Sequence, residues 1–385
     1  MVGYDDRVQL VLPLLTSGPT FAVDVFSIQS FRPMCTNSPE PITMNNPFEL
    51  ETAEFEFLIS PSALDHSQPK PPSTLLRVEF GAVTHTGKVR PHNEDHFLVS
   101  QLSRKQSVLL TNVPDDQFPE FVGDDAYSMI VADGMGGMAA GEVASRMAIT
   151  TGLKLFHKSP KWGFKINKRE ARELFDRVNG YLREIDLELT NRSEGDRKLY
   201  GMGTTLTAAY SIGVDLFIIH LGDSRAYLFR GGELNQLTKD HTVAQAMADA
   251  GYIAPEEVRH HNKRNVLTNF LGGHGGKVKA DVRWLRLKDR DRLLLCSDGL
   301  NDMVDDASIA RIMGAHDQPA GAAQSLLDEA LDRGGRDNVT VIVARYQIPS
   351  LVYPAQREIA AQAPDAGGTT DSLETVPPLT IASLN

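Results

Sequence analysis

Cysteine is nearly absent from this chain: Cys35 and Cys296 are the only two in 385 residues. That excludes a disulfide framework and a cysteine zinc site, and it fits a reducing, cytoplasmic compartment. Long apolar runs are also missing. No stretch approaches the roughly 20 residues of a membrane span, so no membrane partner is expected. A secretory start is lacking as well. Asp5 and Asp6 stand where basic residues would, and Pro13 and Pro19 interrupt the apolar segments. Positive charge is in deficit: 39 Lys and Arg face 50 Asp and Glu, a formal −11 at pH 7. Such a chain repels nucleic-acid backbones, so no nucleic acid is expected either.

What is present is ordinary globular material, 41% hydrophobic and 23% charged, enough for one large domain or two modest ones. Residues 1–75 hold no durable period and turn Pro-, Ser-, Thr- and Asn-rich between Pro33 and Pro72. They read as a flexible leader, and Met44 offers an alternative start. Residues 349–385, rich in Pro, Ala and Thr, read as a disordered tail. The informative part is 76–348, expected as a single catalytic domain without internal repeats.

Inside it, short β-rich runs alternate with helical pairs. Ser128–Ala132 ends in Asp133-Gly134, and a helix follows through Ala144, Ala148, Thr151 and Leu155. Asn167 and Glu170 open a second helix whose face runs from Ala171 to Leu189. Thr204–Ile212, Leu216–Leu221 and Arg225–Phe229 read as a meander, and Val282–Leu287 with Arg292–Ser297 as a hairpin. Helices at Asp306–Met313 and Pro319–Asp332 precede a last strand, Val339–Tyr346. The order predicts an α+β fold, antiparallel sheets packed on each other with helices outside.

Carboxylates recur at the strand ends. Asp133, Asp223 and Asp298 close apolar runs beside Gly or Ser, Asp337 precedes the last strand, and Glu94 with Asp95 opens another. Any one alone is turn chemistry. In an antiparallel sheet the end of one strand lies beside the start of its neighbour, so all could gather on one rim. Carboxylates so gathered repel unless a cation neutralises them, and oxygen ligands without Cys or His favour Mg²⁺ or Mn²⁺.

Six blocks occur in order: Arg90-Pro-His-Asn-Glu-Asp95, Asp133-Gly-Met-Gly-Gly137, Gly201-Met-Gly-Thr-Thr205, Gly222-Asp-Ser-Arg225, Ser297-Asp-Gly-Leu300 and Gly335-Arg-Asp-Asn338. Together they resemble the signature of the bacterial-type 2C metal-dependent serine/threonine phosphatases, the PPM family. The resemblance implies an α/β/β/α sandwich of two antiparallel sheets flanked by helix pairs, with two Mn²⁺ or Mg²⁺ ions in the cleft between them. It implies that Asp133 bridges both ions and that the Gly134 carbonyl touches one. Asp298 and Asp337 would hold one ion, and Asp95, helped by Glu94, the other. Asp223 matches the position that, with Asp298, holds a third, weaker ion. Arg90 matches the phosphate-binding arginine. The implied reaction is attack of metal-activated water on phosphoserine or phosphothreonine, with no phosphoenzyme. Phosphorylated substrates of a serine/threonine kinase are the implied partners, and the protein is expected to be a monomer.

One departure stands out. Some members carry His after Asp-Gly, proposed to protonate the leaving oxygen; here that position is Met135, which has no proton to give. Two further features lie outside these blocks. The basic run Arg259 to Arg264 is expected either as a solvated loop or as a dock for acidic residues around the phosphosite. The glycine-rich run Leu271 to Gly276 lacks the phosphate-loop spacing and reads as a loop. The alternatives to a protein phosphatase are a phosphoprotein-binding module without turnover and a phosphatase of small phosphoesters.

Overall fold

The computed structural model describes residues 76–104, 124–136, 140–158, 168–273 and 278–349. The leader, nearly all of the tail, Met44, Gly137, Asn167 and the stretch 274–277 lie outside these residues.

Among the described residues twelve strands and six α-helices follow in the order β1 Arg77–His85, β2 His96–Arg104, β3 Asp124–Ala132, β4 Gly134–Met135, α1 Ala140–Lys158, α2 Lys168–Gly195, β5 Gly203–Thr204, β6 Leu206–Ile212, β7 Asp215–Leu221, β8 Arg225–Arg230, β9 Glu233–Gln236, α3 Val243–Asp249, β10 Asp281–Arg286, β11 Arg292–Cys296, α4 Asp298–Asn301, α5 Asp306–Ala315, α6 Pro319–Asp332 and β12 Val339–Gln347. Two five-stranded sheets result, β1-β12-β11-β8-β9 and β10-β7-β6-β3-β2, and a two-stranded ladder of β4 with β5. Every pairing among the described residues is antiparallel.

The period-2 alternation of each strand builds the layers. On β12, Val339, Val341 and Val343 face α5 and α6, joining Ile309, Ile312, Leu326 and Ala330. Ile342, Ala344 and Tyr346 face the other sheet, meeting Met129, Val131, Leu216 and Ile218. On β7, Phe217, Ile219 and Leu221 turn outward to α1 and α2. Strands covered on both faces are apolar at almost every position, which is why these runs show little alternation in the sequence. Each fully buried Leu or Ile contributes about 1.5–3 kcal/mol. Cys296 is one of these core residues: it is free and fully buried, and burial pushes its thiol up to about 12.

Three local expectations need correcting. Val282–Leu287 and Arg292–Ser297 do not form a hairpin: β10 pairs with β7 in one sheet, β11 with β8 and β12 in the other. Likewise the meander breaks after β7. β6–β7 and β8–β9 are hairpins, but the turn Gly222-Asp223-Ser224 carries the chain across from one sheet to the other. Leu285, Leu287, Leu293 and Leu295 all enter the same inter-sheet core, so the apolar pattern is satisfied whether or not the two strands pair. Periodicity fixes which face is buried and leaves the partner open. The strand expected at Thr204–Ile212 is also divided, because Thr205 pairs with Asp133 instead of continuing the ladder.

A carboxylate cleft as the candidate functional site

Followed toward one end, the inward rows of both sheets change from apolar to polar. On the alternation, Asp95 continues the row of Val99 and Phe97; Asp133 that of Met129 and Val131; Thr207 and Thr205 that of Ala209. From the facing sheet, Ser224 continues Leu228 and Ala226, Ser297 continues Leu293 and Leu295, and Thr340 and Asn338 continue Ala344 and Ile342. The registers His96↔Ala132, Leu206↔Leu221, Cys296↔Arg225 and His85↔Val339 put these ends on one rim. A cleft of about 590 Å³ opens there.

Arg90, Glu94, Asp133, Gly134, Asp223, Asp298 and Asp337 all line it. Asp95 lies beneath, only 4% exposed, held by a 2.7 Å hydrogen bond from Ser297 Oγ to its Oδ2. All eight residues singled out in the sequence therefore meet at this rim.

Hydroxyls and amides hold the carboxylates in place. The Asp133 N–H donates to Thr205 Oγ1 (3.0 Å), and the Asp133 carbonyl accepts from Thr205 N (2.9 Å) and Thr204 Oγ1 (2.8 Å). Thr205 Oγ1 in turn lies 2.8 Å from Ser224 Oγ, next to Asp223. Ser297 Oγ also accepts the Thr340 N–H at 2.9 Å. Asn338 ties three loops together: its Oδ1 accepts the Glu94 N–H (2.8 Å), and its Nδ2 donates to the carbonyls of Thr86 and His92 (both 2.9 Å). Gly134 packs so closely that a Cβ there would collide with the Gly141 carbonyl. Arg225 grips Asp240 with two bonds, Nε to Oδ1 at 2.9 Å and Nη2 to Oδ2 at 2.7 Å, anchoring the start of the segment that overhangs the cleft.

These supports are not evident from the sequence, although Thr204, Thr205, Ser224, Arg225, Ser297 and Asn338 all sit inside the six motif blocks. A polar residue on an otherwise apolar row was the available signal. His241 gave none. Its Nδ1 accepts the Gly222 N–H at 3.2 Å and its Nε2 donates to Asp281 Oδ2 at 3.1 Å, while its main chain bonds Gly222 and Thr268. It thus ties the Asp223 turn to the overhang. Asn338→Ala is expected to leave several buried groups unpaired and lower stability by about 2–3 kcal/mol, read by urea unfolding. A loss well under 1 kcal/mol would reject that role.

Electrostatics set the character of the cleft. Burial, then Asp95 and the other site carboxylates, hold the Asp133 carboxyl well above its ordinary range. Asp298 is raised in the same way, by burial and then Asp223 and Asp337. Burial pushes Asp95 up to about 6, and burial followed by Asp240 pushes Asp223 up to about 7. Glu94 is raised too, mainly by burial. Asp95 Oδ1 and Asp298 Oδ1 are buried with no hydrogen-bond partner, which is costly for a carboxylate unless a cation answers it. The donors are carboxylates and a backbone carbonyl, the set that suits hard divalent ions. Among the described residues no three of these side chains already converge as a finished metal cage. Asp337 is engaged elsewhere: its Oδ2 accepts from Arg90 Nη2 at 2.6 Å and its Oδ1 from the Asn338 N–H at 2.9 Å.

The basic run folds back on the protein. Arg259 Nη2 donates to the carbonyl of Asn301, the last residue of α4 (3.1 Å), and Arg264 reaches Oδ2 of Asp302, just past it (3.4 Å). Lys263 is exposed. Val266, Leu267 and Phe270 form the far lip of the cleft. Met135 is on the wall, and His92 is the one imidazole among the lining residues.

Comparison with known proteins agrees with this geometry. The protein phosphatase 2C profile matches residues 112–333. The serine/threonine protein phosphatase PstP of Mycobacterium tuberculosis is 40% identical over 219 residues, 57% of this chain; the chain spans only 40% of the length of PstP. The serine/threonine phosphatase stp of Listeria innocua is 33% identical over 260 residues, covering 68% of this chain and 92% of that one. Among solved structures, the catalytic domain of PstP in complex with two manganese ions superposes with a TM-score of 0.54 at 33% identity, covering 71% of this chain and 99% of that one. A profile match across more than half of the residues, and a relative aligned over nearly its full length, place the chain in the protein phosphatase 2C family.

Proposed function

We propose that the chain is a metal-dependent serine/threonine protein phosphatase acting on phosphorylated proteins, with 76–348 as its catalytic unit. The observation that carries this reading is the pair of buried, partnerless carboxylate oxygens, Asp95 Oδ1 and Asp298 Oδ1, in a cleft crowded with raised carboxylates. In this proposal Asp133, Asp298, Asp337 and Asp95, with Glu94 and the Gly134 carbonyl, hold two Mn²⁺ or Mg²⁺ ions, and Asp223 with Asp298 serves a weaker third. Bound divalent ions supply two things: a water of lowered pKa and neutralisation of the phosphoryl oxygens.

The chain's own residues do the rest. Arg90 stands at the mouth of the cleft, its side chain 54% exposed, and its planar guanidinium grips a phosphate with paired hydrogen bonds. Thr205, Ser224 and Ser297 lock the carboxylates so that little reorganisation accompanies the reaction. Val266, Leu267 and Phe270 limit water at the far lip. Met135 donates no proton, and the one imidazole lining the cleft, His92, is exposed at its surface.

No described helix is long and apolar enough to cross a membrane. A monomer in a reducing, cytoplasmic setting is proposed, consistent with the buried free thiol of Cys296. Phosphate release from a phosphothreonine peptide is expected to need Mn²⁺ or Mg²⁺, to stop on chelation and to fail in Asp298→Asn. Turnover that survives chelation, or is unchanged in the variant, rejects the metal reading.

A further inference from the structure

Beside the cleft, and sharing Arg90, Asn265 and Asp337 with it, runs a second groove of about 370 Å³. Its apolar walls are Met303 and Val89, the latter 68% exposed. Its charges are not balanced. Both carboxylates already have partners, Asp337 with Arg90 at 2.6 Å and Asp302 with Arg264 at 3.4 Å. The third guanidinium, Arg336, is exposed and makes no hydrogen bond or ion pair with any described residue. Its backbone is not loose: Gly335 precedes it in the left-handed region at φ 53°, and the Gly335 carbonyl accepts the Lys88 N–H at 2.7 Å. A cation on a held backbone, with no partner among the described residues, in a chain of net charge −11, favours a negatively charged visitor.

We propose that this groove seats the residues on one side of the phosphorylated residue, and that Arg336 selects an acidic side chain there. The proposal deepens the phosphatase reading and rests on it. Arg336 adjoins Asp337 in the chain, and an extended peptide advances about 3.3–3.6 Å per residue, so the acidic residue falls within about two positions of the phosphoresidue. Its aliphatic stem lies against Val89 and Met303, and its carboxylate meets the guanidinium with charge-assisted hydrogen bonds.

The test measures kcat/KM on phosphothreonine peptides carrying Glu or Ala at each position within two residues of the phosphate. An aryl phosphate with no flanking residues serves as the reference. The unmodified protein is expected to favour Glu on one side by about three- to tenfold at low ionic strength, with the preference shrinking in salt. Arg336→Ala is expected to lose that preference and keep its aryl phosphate rate. Lys154→Ala, an exposed charge on α1, is expected to change nothing. Equal rates on all peptides, a preference that survives Arg336→Ala, or one lost equally in Lys154→Ala would overturn the subsite. So would an equal slowing of every substrate, aryl phosphate included, in Arg336→Ala. An aryl phosphate left untouched by the unmodified, manganese-supplied protein would instead sink the phosphatase reading itself, and the subsite with it.

Discussion

Replacing Asp133 by Asn is expected to lower kcat by about 10³-fold or more and, in the metal-free protein, to raise stability at pH 8. The two effects have one cause. Asp133 lies where both sheets' inward rows turn polar, and burial together with Asp95, Asp298, Asp223 and Asp337 disfavours its charge. An amide of the same shape removes that repulsion, a gain of about 1–3 kcal/mol. It also removes the charge proposed to join two cations, and a loss of several kcal/mol of transition-state stabilisation corresponds to about 10³-fold in rate. Activity is read by phosphate release, stability by thermal unfolding in chelator. A variant that is both inactive and less stable would point to a broken fold. A variant with normal turnover would remove Asp133 from the chemistry. Sites that trade stability for activity in this way are common where function demands clustered charge.

The metal-free protein is also expected to lose stability as pH rises from about 4 to above 7. The sign follows from linkage. Asp95 and Asp223 have folded-state values of about 6 and about 7 against an ordinary 3.8, so in this window the folded state binds more protons than the unfolded one. Stability is then fully present below about pH 4 and is lost as pH climbs through the folded values. For Asp223 the distance from 3.8 to about 7 corresponds to roughly 4 kcal/mol, or about 8–16 °C in Tm for a domain of this size. Mn²⁺ should restore the loss, most strongly at high pH, because metal replaces the protons. The difference between the unmodified protein and Asp223→Asn isolates this contribution from other titrating groups. A difference that is flat in pH, or a Tm that manganese leaves unmoved at pH 8, would contradict the picture of an uncompensated carboxylate cluster.

The contrast between what was legible in the sequence and what was not can be seen strand by strand. In β12 the run Val339 to Tyr346 announced a strand buried on both faces, and Pro319–Asp332 matched α6 to the residue. The carboxylates were legible because each closes or opens such a run, and because six short blocks resemble one family in order. The partners of β10 and β11 were not, since Leu285 and Leu293 satisfy the same core from different sheets. Nor was the fate of Arg259 and Arg264, whose bonds to Asn301 and Asp302 span about 40 residues of chain.

The sequence by itself determined which side chains carry charge, which strand faces are apolar and where each apolar row gives way to Asp, Ser, Thr or Asn. Those are local properties, set by the period of two and by residue chemistry. Only the tertiary structure decided that the rows from both sheets end at the same rim, that Gly222-Asp223-Ser224 crosses between the sheets, and that Arg336 is left without a partner among the described residues. These depend on pairings between residues up to about 250 positions apart, where hydrophobic burial rewards many registers alike and hydrogen bonds such as Asn338 to Glu94 and Ser297 to Asp95 select one.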